Sequence, residues 1–143
     1  AWSTVQLAGD SLEAAGGHDI TLARHHPPWR EPCRYVRERL DDETVVITTT
    51  SLPVLYYVGR VDQWFPSSIM WWEMDEIGIQ GLEDTEQLAR FMAEHPKGYF
   101  IEHIRRFSMW ELQLADEIAF VNERMRLVEE ASEDYVRVHT WGI

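Results

Sequence analysis

Residues Pro28–Phe65 constrain the fold most, because they alternate helical and strand patterns within fewer than forty positions. Apolar residues at helical spacing predict a helix over Arg30–Leu40. The β-branched run Val45–Ile47 is too short for a helix and is typical of a strand buried on both faces, as in a parallel sheet covered by helices. We expect a second helix to follow, with Ser51 as its N-cap and Gly59 as its stop. The segment therefore predicts a βαβ core.

The same alternation continues to the end of the chain. An extended segment is expected at Val61–Phe65, and an amphipathic helix at Thr85–His95 ends before a proline. We predict strands at Tyr99–Ile104 and Tyr135–Thr140, separated by one long helix over Ser108–Ala131. Short strands alternating with helices predict an α/β fold, a three-layer α/β/α sandwich around a mostly parallel, Rossmann-like sheet.

Length and composition fit one small domain with a core of its own. The chain has 143 residues, of which residues 1–28 are a poorly periodic lead-in segment and 29–143 are the α/β domain. A net charge of −12 argues against a nucleic-acid partner, since phosphate binding needs a basic patch. Cys33 is the single cysteine and lies at an apolar helical position, so we expect an inert, buried thiol.

No known catalytic or cofactor motif occurs in the sequence, so the catalytic residues are unknown and no cofactor is predicted. His18, His25 and His26 do not fall at a recognisable metal spacing, and surface imidazoles explain them better than a metal site. The acidic cluster at 73–76 is interpreted as a solvated loop, although paired carboxylates can also do acid–base work.

Three basic side chains follow a predicted strand. His103, Arg105 and Arg106 lie near its carboxyl end, where open α/β sheets place their ligands. Two arginines there can clamp a phosphate or a carboxylate. The alternative is that they pair with Glu102, Glu111 or other surface carboxylates, which is the commoner role of such residues.

A dense group of aromatic side chains lies in the connection after the second predicted strand. Trp64, Phe65, Trp71 and Trp72 are its main members. Core packing explains some of them, but indole N–H groups need polar partners when buried. Two functional interpretations remain beside the core: a sugar-binding cleft, and a contact with the bilayer interface or a membrane-embedded partner.

Residues 29–65 resemble the soluble tail that follows the last membrane span in polytopic sugar transferases of the dolichyl-phosphate-mannose protein mannosyltransferase type. The residues that carry the resemblance are Trp29, Arg30, Cys33, Val36, Val45–Thr48, Pro53, Leu55, Tyr56, Tyr57, Gly59 and Arg60. A looser likeness covers 81–107. The membrane spans and the acidic loop residues that this family uses for catalysis are missing from the chain.

The resemblance implies a soluble accessory domain of a membrane-embedded glycosyltransferase that depends on a polyprenyl-phosphate sugar. Its partners would be the membrane-embedded region or the membrane interface, with a glycan or polyprenyl-phosphate sugar as candidate ligand. Its location would be the extracytoplasmic face of the membrane. The alternative is a stand-alone, cytoplasmic, Rossmann-like module that binds a small ligand or a protein. An independent enzyme has the least support, because no nucleophile–base or metal set is visible.

Overall fold

The computed structural model describes residues 28–68, 78–103 and 114–143. These residues form an α/β domain built on one mixed sheet. The helices are α1 Arg30–Arg37, α2 Ser51–Val58, α3 Thr85–Glu94 and α4 Ala115–Arg124, and a 3-10 turn covers Glu129–Ala131. The strands are β1 Val45–Thr48, β2 Gln63–Trp64, β3 Gly98–His103, β4 Arg126–Leu127 and β5 Val136–Trp141.

The predicted βαβ core is present, with one change at the start of α2. Thr50 has extended backbone angles and is the N-cap residue, so Ser51 lies in the first turn rather than at the cap. Pro53 fits that turn because it needs no amide donor there. Gly59 ends the helix with φ +93°, a left-handed conformation that glycine adopts without steric cost.

Helix α3 begins and ends as its sequence predicts. The carboxylate of Asp84 accepts a hydrogen bond from the Gln87 amide at 3.0 Å, which satisfies a donor that the helix leaves unpaired. His95 is the C-cap residue. Pro96 follows it, and a proline cannot continue a helical hydrogen-bond pattern.

The described sheet is mixed, so the prediction of a mostly parallel sheet was wrong. The strand order is β2-β1-β3-β5-β4, and β1 runs parallel to both β2 and β3. Strand β5 is antiparallel to both of its neighbours, β3 and β4. Only a short 3-10 turn separates β4 from β5, and a connection that short permits antiparallel pairing but no parallel crossover.

The predicted long helix over Ser108–Ala131 is also corrected. Residues 104–113 lie outside the described residues, and the helix that follows them ends at Arg124. Met125 is extended, and it and Val128 pack in different core clusters. The apolar residues after Arg124 therefore do not share one helical face, and the chain forms β4 and the 3-10 turn instead.

Two apolar clusters lie on opposite sides of the sheet. Alternate strand residues point to opposite faces, so neighbouring β3 residues belong to different clusters. The first cluster contains residues of α1, α2, the sheet and the segments beside them: Trp29, Cys33, Val36, Val46, Val54, Val58, Tyr99, Ile101, Val128, Ala131, Val136 and Val138. The second contains residues of α3, α4, the sheet and the segments beside them: Val45, Ile47, Phe65, Leu82, Leu88, Phe91, Phe100, Leu114, Val121, Met125 and Trp141.

Candidate functional site

Strand β1 lies at the point where the chain reverses its direction across the sheet. From β1 the chain passes through α2 to β2 on one side, and from β2 it returns through α3 to β3 on the other. Open α/β sheets place ligands outside the carboxyl ends of parallel strands at such a point. The candidate ligand position is therefore the turn between β1 and α2, together with the end of β3.

Threonine hydroxyls join the ends of these two strands. Thr48 Oγ1 donates to the Ile101 carbonyl at 2.8 Å and accepts from the Thr50 amide at 3.0 Å. Thr49 Oγ1 accepts from the His103 amide at 2.9 Å. All three threonines are buried. Their hydroxyls fix the geometry of the turn, so these groups are positioning elements of the strand-end site.

His103 is the one described member of the predicted basic cluster. Its ring packs against the indole of Trp29, with centroids 5.8 Å apart and planes inclined by 50°. This contact places an imidazole and an indole beside the threonine turn. Arg105 and Arg106 lie outside the described residues, so the proposed anion clamp stays a prediction.

Trp64 and Phe65, two of the four aromatic residues predicted to contact a ligand or partner, are core residues in this structure. Both side chains are fully buried. The indole N–H of Trp64 donates to the Ile79 carbonyl at 3.0 Å, so this buried donor has a polar partner. These two residues present no surface to a ligand or partner, and Trp71 and Trp72 lie outside the described residues.

An exposed apolar surface occurs instead on helix α2. Leu52, Leu55 and Tyr56 are 38%, 37% and 62% exposed, and their spacing places them on one side of the helix. We call this surface the α2 face. None of the residues of Ser51–Val58 is charged. The exposed side of a helix that faces only water normally carries polar residues, whereas here it carries apolar and aromatic ones. The sequence contains this signal as the uncharged run Ser51–Val58, but the contact surface was predicted at the neighbouring tryptophans instead.

A buried polar pair links β3 to β5. His139 Nε2 lies 2.7 Å from Glu102 Oε2, and the two residues are 2% and 5% exposed. A carboxylate at Nε2 favours the tautomer that carries its hydrogen there, which leaves Nδ1 as an acceptor. No described residue forms a hydrogen bond with Nδ1. The pair could not be predicted from the sequence, because strand register brings the two residues together and cannot be read from either strand alone.

The cysteine is placed as predicted. Cys33 has no exposed surface, and burial raises the pKa of its thiol to about 12 although Arg37 opposes the shift. At neutral pH the nucleophilic thiolate is therefore almost absent. Cys33 is a packing residue of α1.

Within residues 28–68, 78–103 and 114–143, no group of three or more histidine, cysteine or acidic side chains is placed to hold a metal ion. No helix in this part of the chain is long and apolar enough to cross a membrane. Comparison of the chain with family models, curated proteins and solved structures gives no match.

Proposed function

We propose that this chain is an accessory domain of a membrane-embedded, polyprenyl-phosphate-sugar-dependent glycosyltransferase, and that it docks on the membrane-embedded region through the α2 face. The location that follows is the extracytoplasmic side of the membrane. The single observation that carries the proposal is the cluster of exposed apolar side chains on a helix without charges. The resemblance of residues 29–65 to the tails of such transferases indicates what kind of protein the partner is.

The chemistry of the α2 face favours a protein partner over a lipid surface. Tyr56 packs edge-on against Tyr57, with ring centroids 4.8 Å apart, so the two rings lie together on the helix. Rigid aromatic side chains lose little entropy on binding and are enriched at protein interfaces. The net charge of −12 opposes anionic headgroups, which removes a common source of membrane affinity.

The proposal assigns orientation and docking, rather than chemistry, to this domain. The polar groups of the strand-end turn hydrogen-bond one another, as the threonine contacts show. The Glu102–His139 pair lies in the interior, away from solvent. The sugar-transfer step therefore belongs to the partner, and we expect the purified domain alone to transfer no sugar from a polyprenyl-phosphate donor.

Photo-cross-linking in cells that express the protein naturally tests the docking surface. A benzoylphenylalanine replaces Tyr56 on the α2 face, and the matched control places it at Glu86 on the solvent side of α3. We expect only the first position to cross-link, to a polytopic membrane protein identified by mass spectrometry. Cross-links to a water-soluble protein, to lipid alone, or equal yields at both positions would overturn the proposal.

A second candidate function is a stand-alone module that binds a small ligand. The arrangement that favours it is the strand-end site, where His103 and Trp29 lie beside the threonine turn. For this candidate we propose that the two helical layers and the parallel β2-β1-β3 unit form a three-layer, Rossmann-like framework. Thermal-shift measurements with inorganic phosphate and with nucleotides test it: stabilisation that is lost in Thr49→Val supports the ligand module, and no shift rejects it.

A further inference from the structure

A row of arginines lies beside the α2 face. Arg30, Arg34 and Arg37 occupy α1 at intervals of four and three residues, so they share one side of that helix, and all three are exposed. Arg37 Nη1 donates to the Tyr57 carbonyl of α2 at 3.3 Å, which places that side of α1 next to α2. We call these three residues the arginine row.

The arginine row is a positive region in an acidic chain. Residues 30–39 include four arginines and two glutamates, whereas the whole chain has a net charge of −12. At physiological salt the screening length is about 8 Å, so a partner that touches only α1 and α2 is affected mainly by the charges near its contact. Such a partner therefore meets a positive surface, although the protein as a whole is acidic.

Stabilisation of α1 explains only part of the arginine row. Arg34 pairs with Glu31, and Arg37 lies in the last turn, where the helix dipole favours a cation. Arg30 lies in the first turn, where the dipole disfavours a cation. Arg30 also forms no hydrogen bond or ion pair with another described residue. Its charge does not stabilise the helix and is available to a partner.

The spacing of the row favours carboxylates on a polypeptide over a single phosphate. At 1.5 Å per residue, Arg30 and Arg37 are about 10 Å apart along the helix, a spread that suits several separate anions better than one. Carboxylates that alternate along a strand, or lie one turn apart on a helix, repeat at about 5–7 Å and match such a row. An anionic bilayer fits less well, because the exposed carboxylates of Glu31 and Glu38 would also meet its continuous negative surface.

We propose that the arginine row and the α2 face together bind a segment of the partner protein in which carboxylates lie beside an apolar patch. Leu52 and Tyr56 contact the patch, and the guanidinium groups form hydrogen-bonded ion pairs with the carboxylates. Exposed ion pairs of this kind add little affinity individually, but they orient a partner and speed its encounter. The apolar face thus supplies affinity, and the arginine row supplies specificity.

This inference rests on the proposed function and adds the chemistry of the segment on which the domain docks. Docking through the α2 face can be correct while the arginine row takes no part in it. The photo-cross-link from Tyr56 reports docking, whereas changes confined to α1 report the role of the row. The two assignments can therefore fail separately.

A zero-length chemical cross-link tests whether carboxylates contact the arginine row. Arg30→Lys keeps the charge and introduces a primary amine, which a water-soluble carbodiimide joins to a neighbouring carboxylate as an amide while the carbodiimide becomes a urea. The matched control is Arg90→Lys, an exposed position on α3. Lys97, the single lysine of the chain, is common to both variants and gives the background.

Each variant is expressed in place of the native protein, and its membranes are treated with the carbodiimide. We expect only Arg30→Lys to yield a product above background, joined to an acidic peptide of the same polytopic protein that Tyr56 labels. Equal yields from the two variants, no product above background, or a product with phosphatidylserine alone would overturn the carboxylate assignment.

Charge reversal measures how much the arginine row contributes to docking. In Arg30→Glu/Arg34→Glu we expect the yield of the Tyr56 cross-link to fall at least about tenfold, because two attractive contacts become repulsive. The conservative variant Arg30→Lys and the control Arg90→Glu should each stay within about twofold of the parent yield. Circular dichroism of the purified variants checks that they fold.

The outcomes separate the two assignments. A folded double variant with an unchanged Tyr56 cross-link would overturn the role of the arginine row and leave docking through the α2 face standing. A parent chain that gives no Tyr56 cross-link to a membrane protein would reject both.

Discussion

Removing one member of the buried Glu102–His139 pair should destabilise the fold far more than removing both. His139→Phe keeps a ring of similar size beside Phe100, whose ring centroid lies 5.8 Å from that of His139. It leaves the Glu102 carboxylate in the interior without its hydrogen-bond donor. Glu102→Leu leaves an imidazole, whose burial costs less than that of an isolated carboxylate, so its penalty should be smaller.

The expected magnitudes follow from the burial of both groups, which are 5% and 2% exposed. Leaving a buried carboxylate without its partner typically costs about 3–5 kcal/mol, whereas replacing both partners by apolar groups is close to neutral. We therefore expect about 3–5 kcal/mol for His139→Phe and within about 1 kcal/mol for the double variant Glu102→Leu/His139→Phe. The two single losses should not add.

Urea denaturation at pH 7, followed by tryptophan fluorescence, measures these free energies of unfolding. With a slope of about 2 kcal/mol per molar urea, a loss of 4 kcal/mol lowers the midpoint by about 2 M. The control is Glu86→Gln, which breaks an exposed ion pair between α3 side chains 3.7 Å apart and should cost no more than about 0.5 kcal/mol. A double variant as unstable as the sum of the single variants would refute the reasoning.

Further predictions concern reactivity, acid stability and close packing. Because burial raises the pKa of the Cys33 thiol to about 12, iodoacetamide should label it at pH 8 only after unfolding; rapid labelling of the native protein would contradict its burial. Hydrogen bonds lower the pKa of Asp41 to about 2 from an ordinary value near 4, and the bond from the Thr44 hydroxyl contributes most. The stability that this carboxylate contributes is thus present above about pH 4 and is lost as the pH falls towards 2. The thermal midpoints of the parent chain and of Asp41→Asn should therefore differ at pH 6 and converge near pH 2. Gly98→Ala should lower the free energy of unfolding by about 1–3 kcal/mol in urea, because the new Cβ would lie 2.5 Å from the Trp141 ring; an unchanged midpoint would contradict that close packing.

The sequence predicted those elements whose signals are local. The β-branched run Val45–Ile47, the stop at Gly59 and the helix that begins at Thr85 are each specified by neighbouring residues, and each appears in the structure. The α/β class followed from their alternation. The direction of β5 could not be predicted in this way, because strand orientation depends on the length of the preceding connection. The long helix predicted over Ser108–Ala131 covered the residues that form β4.

The candidate sites were less predictable because they depend on exposure and register. Trp64 and the exposed Tyr56 both belong to aromatic-rich segments, and only the fold places the first in the core and the second at the surface. Glu102 and His139 are 37 positions apart and meet through the β3–β5 pairing.

The most direct test of the proposed function is immunoprecipitation of the native protein followed by a transfer assay. Antibodies raised against the purified domain are applied to detergent-solubilised membranes of cells that express it naturally, and transfer of labelled sugar from a polyprenyl-phosphate donor is measured in the precipitate. We expect transfer activity to accompany the protein in the precipitate, and the purified domain alone to be inactive. A precipitate without transfer activity, or a native protein found in the water-soluble fraction instead of the membranes, would contradict the proposed function.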